Sequence, residues 1–244
     1  MHKIINPLFS LAITAVLFLG AVSAQADEFK SGQAYRGQIA IGDKGVVVPL
    51  PPGEWRIAGY DTINFTDSRR AKKLKIHRVS MVHVQDGVLH GVIRFLTPDR
   101  RVTSGFAPAK FCDRKDIHHI VNNGNYRKDR DCWGVNHYNF SPWSKMPEYV
   151  DEMYLWLGDN NVKLPGYMIA TTFNIAASSR FLDVTYFFNP EVEGLEPSDP
   201  AVRWSASEWH SYRVAKGSER ADYIQKMIAW GQDWHQKVMD AVKG

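Results

Sequence analysis

Two histidines, His83 and His90, flank an Asp86-Gly87 dipeptide that has β-favouring residues on both sides. Asp-Gly is a strong signal for a two-residue hairpin turn. That turn pairs Gln85 with Val88, Val84 with Leu89 and His83 with His90. Residues opposed in this way have Cβ atoms about 4.5–5.5 Å apart. Two imidazoles at that separation can contact a ligand together or titrate as a coupled pair. They can also share a metal if a third ligand, such as His77 or a loop Asp, joins them. No spacing dictates that third ligand, so neither a metal nor a cofactor is assigned. Two ordinary histidines on a half-exposed polar face are the plain alternative. In this register Arg94 shares the face of the two histidines and would pair an anionic group.

A second constellation runs from Cys132 to Trp143. It packs Trp133, Tyr138, Phe140 and Trp143 around His137 in a stretch that reads as a loop. Aromatics beside Asn and His can stack a sugar ring or another flat ligand, or fill a small core beneath a long loop. The candidate ligand-contacting set is therefore His83, His90, Arg94, Trp133, His137 and Trp143. His118-His119 reads as a pair of solvated loop residues, because neighbours in an extended chain point to opposite faces. Asp129, Asp131, Glu148, Asp151 and Glu152 lie near the aromatic segment. Paired carboxylates can cleave a glycosidic bond, but nothing in the sequence fixes their separation. Gly-x-Ser-x-Gly, Walker, dinucleotide-binding, His-Glu-x-x-His and Cys-x-x-Cys motifs are all absent. No residue is assigned as catalytic.

Residues 1–26 have the form of a secretory leader. Lys3 supplies the positive charge, Leu8 to Val22 is largely apolar, and Ala24-Gln25-Ala26 offers small residues for cleavage. The apolar run is shorter than the roughly 18–20 residues that span a bilayer, and no later stretch is long and apolar enough. The expected location is the bacterial periplasm or exterior, as a soluble chain. Residues 27–244 would then fold as one domain. The formal net charge is +4, and losing Lys3 with the leader leaves +3. That is too mild for a dedicated nucleic-acid protein. The dense basic run from Arg69 to Lys75 reads as a solvated loop entering a strand, with an anion or membrane-surface patch as the alternative.

Cys112 and Cys132 are the only cysteines. In an exported chain they read as one disulfide that staples a polar loop of about twenty residues.

The elements that must position these residues are strands first and helices late. Gln38–Ile41 and Val46–Leu50 are short strand runs, and Lys75–Leu96 is a hairpin. Its expected core side carries Ile76, Val82 and Val84 with Leu89, Ile93 and Phe95. Residues 97–147 read as loop-rich. Pro147-Glu148 opens a short helix to about Gly158, with Tyr149, Met153, Trp156 and Leu157 inward. Tyr167–Ile175 and Phe181–Phe188 form a second hairpin, and the latter run, apolar on both faces, reads as a central strand. Residues 190–206 form a Pro-punctuated connection. A helix from about Glu219 to Val242, capped by Ser218, carries an apolar stripe of Tyr223, Met227, Trp230, Trp234 and Val238. Adjacent hairpins with late helices predict an α+β fold with a mostly antiparallel sheet. The functional expectation is a non-enzymatic binding or envelope-associated protein with a small-molecule or glycan ligand and an unknown partner. The alternatives are a hydrolase using His83 or His137 with a loop carboxylate, and a structural protein completed by another chain.

Overall fold

The computed structural model describes residues 29–42, 45–67, 72–101, 109–124, 129–177 and 179–244. Residues 1–26, read as a leader, and Arg69 to Ala71 of the basic run lie outside them. Among the described residues there are ten strands: β1 (Ala34–Tyr35), β2 (Gln38–Ala40), β3 (Val47–Pro49), β4 (Trp55–Asp67), β5 (Lys72–Gln85), β6 (Val88–Pro98), β7 (His119–Asn122), β8 (Arg130–Asn139), β9 (Tyr167–Ala177) and β10 (Arg180–Phe188). Eight of them form one antiparallel sheet in the order β1-β4-β5-β6-β10-β9-β8-β7, and β2 and β3 pair separately. The two α-helices among the described residues are α1 (Glu148–Asp159) and α2 (Glu219–Lys243). The fold is α+β, as the order of hairpins and helices implies.

The helices lie on opposite faces of the sheet. Helix α2 begins where Ser218 Oγ accepts the Ala221 N–H at 3.2 Å, satisfying one of the first-turn donors that have no partner within the helix. Its stripe of Tyr223, Met227, Trp234 and Val238 buries against Trp133, Val135, Phe173, Val184 and Tyr186. The β2–β3 pair extends the same layer, with Ile39, Val48 and Leu50 buried. Helix α1 buries Val150, Met153 and Leu157 against Ala58, Val82, Val92 and Phe187 on the other face. Tyr149 and Trp156, expected inward, are only partly buried. The central strands β9 and β10 have one neighbour on each side, and β9 is buried along its whole length.

The first long hairpin departs from the expected register. Asp86 (φ 51°) and Gly87 (φ 73°) make the turn, and Gln85–Val88 and Val84–Leu89 pair as read. A β-bulge then puts His83 opposite Gly91 instead of His90. A Cβ on residue 91 would lie 2.9 Å from the Trp55 ring and 3.1 Å from the Phe187 carbonyl oxygen, so a glycine there lets Trp55 close over the strand. One slipped residue exchanges faces. Val82 and Val92 face α1, whereas Met81, Ile93 and Phe95 face α2. The expected single core side is therefore corrected to two buried faces.

Residues 97–147 are also corrected, because they contain β7 and the ten-residue β8. The aromatic segment is strand as far as Asn139, and not a loop there. Cys112 and Cys132 form the disulfide, with Cα atoms 5.8 Å apart, tying a short 3-10 turn at Lys110–Asp113 to β8. A staple closing a loop of this size contributes about 3 kcal/mol in the chain-entropy model. Reduction is expected to lower the urea midpoint accordingly. An unchanged midpoint with both thiols titratable would show that the staple contributes nothing.

Candidate functional site

The six candidate residues are dispersed, and the sheet itself separates them. His83 and His90 sit at the tip of the β5–β6 hairpin with ring centroids 5.5 Å apart. His90 borders a cavity of about 340 Å³ with Asp86, Lys163, Asn189 and Glu191. Arg94 lies on the α1 face. Trp133 and His137 alternate onto the α2 face of β8, where Trp133 is buried against Phe173 and His137 is fully buried. Trp143 follows β8 and is 47% exposed. These residues do not border one concavity, and the expected stacking platform of Trp133, His137 and Trp143 is not assembled. The cause is that Trp133 and His137 sit four residues apart along β8 and are both buried, while Trp143 lies beyond the end of the strand.

His137 instead belongs to an imidazole cluster. Its ring centroid is 5.8 Å from that of His118 and 5.6 Å from that of His210. Trp204 stacks on it at 4.8 Å and 6°. His118 Nε2 donates to the Trp209 carbonyl at 2.7 Å, and His137 Nε2 donates to the Trp204 carbonyl at 3.1 Å. Burial pushes both imidazoles down to about 4, so they are neutral at pH 7. The cluster fastens the irregular connection 190–218 to β7 and β8. His118 is therefore a half-buried tie instead of the expected solvated residue, and His119 packs on Trp133 at 4.8 Å. Among the described residues, no set of three or more His, Cys, Asp and Glu side chains is arranged to hold a metal ion. A His–carboxylate pair does exist at His235 and Asp131, 2.6 Å apart. It lines neither the hairpin-tip cavity nor the larger one of about 520 Å³ between β4 and α1. That larger cavity is an open trough with Phe29, Tyr60, Trp156, Glu152 and Asp159. One of its carboxylates is already engaged, since Glu152 accepts the Tyr60 N–H at 2.8 Å.

The α1 face carries the sharper anomaly. One cross-strand row reads Gly59, Ser80, Arg94, Thr185, Thr172 and Gly134. Arg94 is the only large side chain in it. Two neighbouring arginines on this face are neutralised by direct pairing. Arg78 Nε donates to Asp61 at 2.6 Å, and Arg130 donates to Asp183 at 2.5 Å. Arg94 has no carboxylate or carbonyl partner among the described residues. Its guanidinium lies over the Phe187 ring at 4.3 Å, and its charge acts on the phenols of Tyr149 and Tyr154. Burial raises both phenols, Tyr154 to about 12, with the arginine opposing. Both remain protonated donors at neutral pH. The Thr172 and Thr185 hydroxyls bond each other at 3.0 Å, and the buried Ser80 hydroxyl has no partner among the described residues. The arrangement is a half-buried cation ringed by hydroxyls and aromatic faces, which suits an acid group on an apolar body. Of these residues the sequence signalled only Arg94, as a charge within an apolar strand. Ser80, Tyr149, Tyr154 and Thr185 join it through strand register and helix docking. Neither a family model, nor a curated protein, nor a solved structure matches this chain.

Proposed function

We propose that this chain is an exported, non-enzymatic binding protein that takes an anionic small molecule on the α1 face of its sheet. Arg94 pairs the acid group, the phenols of Tyr149 and Tyr154 donate to it, and Phe187 lies beneath. The carrying observation is the half-buried Arg94 guanidinium without an acidic partner, beside two arginines that each have one. Removing a charge from water without a compensating partner is costly, and an anionic ligand supplies that partner through a bidentate, charge-assisted contact. The leader at residues 1–26 supports export to the periplasm or exterior. Among the described residues, no helix is long and apolar enough to cross a membrane.

The test is a thermal-shift and calorimetric screen at low salt with aliphatic and aromatic carboxylates, uronic acids, a phosphate monoester and sulfate. A ligand at about one hundred times its Kd stabilises the native state by about 2.7 kcal/mol. The gain is expected to vanish in Arg94→Gln and persist in weakened form in Arg94→Lys. Without ligand, Arg94→Gln is expected to be neutral or mildly stabilising, because it removes an unpaired charge. A destabilised Arg94→Gln, or anion binding that survives it, would assign Arg94 to structure instead.

A further inference from the structure

We propose that His83 and His90 form a divalent transition-metal site at the tip of the β5–β6 hairpin, with two imidazole ligands and water completing the coordination. The site does not depend on the Arg94 reading. Its first support is the bulge. His83 is opposed by Gly91, with His90 as the adjoining residue, and the two rings lie 5.5 Å apart, inclined at 70°. Metal–imidazole bonds of about 2.0–2.1 Å at a near-tetrahedral angle place two ring centroids about 5–5.5 Å apart. Bulges commonly re-aim a side chain in this way. The second support is the tautomer. His83 Nδ1 lies 2.9 Å from the Glu54 carbonyl oxygen, which can only accept. His83 Nδ1 therefore carries the proton and Nε2 keeps its lone pair, the outer-shell arrangement that ligating histidines use. The Trp55 ring, 5.4 Å from that of His83, braces the imidazole. The cavity of about 340 Å³ beside His90 leaves room for solvent ligands.

Two protein ligands imply moderate affinity and an order set by the metal, with Cu²⁺ above Ni²⁺ and Zn²⁺. Calorimetric titration of the protein without a histidine tag is expected to show one equivalent of Cu²⁺ and weaker Zn²⁺ uptake. His83→Gln and His90→Gln are each expected to weaken Cu²⁺ by at least about tenfold, while His119→Gln leaves it unchanged. In the unmodified protein, paramagnetic Cu²⁺ should broaden the His83 and His90 imidazole resonances before those of the other histidines. No uptake at millimolar metal, or uptake unaltered in the double His83→Gln/His90→Gln variant, overturns the site. Broadening that begins at other histidines overturns it as well.

Discussion

Between pH 6.5 and 4 the protein is expected to lose most of its stability through His118 and His137. Both imidazoles fall from the usual 6.5 to about 4 in the fold, chiefly because burial disfavours their charged form. A folded-state value below the unfolded one means the unfolded chain binds more protons in that interval, so stability falls with pH. The contribution is intact above about pH 6.5 and gone below about pH 4. At about 1.4 kcal/mol per unit, the two histidines account for about 3 kcal/mol each. That is a large part of the 5–15 kcal/mol typical of a domain. The groups facing them sharpen the effect. The His137 ring lies within 6 Å of both His118 and His210, and Arg114 adds a further cation. A second proton therefore enters against the first. His77, His90 and His119, also lowered by burial, act in the same direction. Asp183, raised to about 6 by burial against the pull of Arg130, acts in the opposite one.

The measurement is urea unfolding at several pH values, with tryptophan emission reporting Trp204 and Trp209. Residues 190–218 should release first, because His118 and His137 hold their carbonyls. Protease cleavage should begin in that connection below pH 5. His137→Phe keeps the stack on Trp204 but cannot titrate, and is expected to reduce the slope of stability with pH by about one proton. A midpoint that stays level from pH 7 to 4.5 would contradict the whole account.

Local signals carried much of this architecture. Asp86-Gly87 specifies its turn through two positive φ angles, Ser218 caps α2, and the spacing of Tyr223, Met227, Trp230, Trp234 and Val238 predicts the face that α2 buries, with Trp230 only partly covered. The disulfide was expected from two cysteines in a chain whose first 26 residues read as a secretory leader. What was not legible depends on contacts between distant residues. The bulge beside His83 goes with the close packing of Trp55 on Gly91, and nothing near residue 83 announces it. Its consequence spreads along the strand, because Arg94 moves to the α1 face and leaves the histidines. β8 was hidden for another reason. Both of its faces are buried, so it lacks alternation, and Gly134, Asn136 and His137 are weak strand formers. The imidazole cluster joins positions 118, 137 and 210, which no periodicity connects. Arg94 was visible as a charge, whereas its want of an acidic partner became visible only when Arg78 and Arg130 were seen to have theirs.

Gly59→Val is expected to cost about 4 kcal/mol, above the about 1–3 kcal/mol usual for an overpacked core. Helix α1 rests on β4 through main-chain atoms at this position. A Cβ on residue 59 would stand 2.0 Å from the Tyr149 carbonyl oxygen, 2.9 Å from its carbon and 3.1 Å from the Met153 nitrogen. Backbone atoms of a helix turn cannot rotate aside as a side chain can, so the whole helix must lift. Lifting it separates Val150, Met153 and Leu157 from Ala58, Val82 and Phe187. It also draws the phenols of Tyr149 and Tyr154 away from Arg94. Position 59 heads the cross-strand row that contains Arg94, so the close approach of α1 and the placement of the donors are one structural fact. The control lies on the same helix. A Cβ at Gly158 meets nothing within 4 Å, and Gly158→Ala is expected to gain about 0.5–1 kcal/mol by removing unfolded-state freedom. Urea midpoints at constant m report both changes. If Gly59→Val unfolds within about 1 kcal/mol of the parent, the helix does not depend on main-chain contact. If it is destabilised but binds anions undiminished at low temperature, Tyr149 and Tyr154 are not the donors.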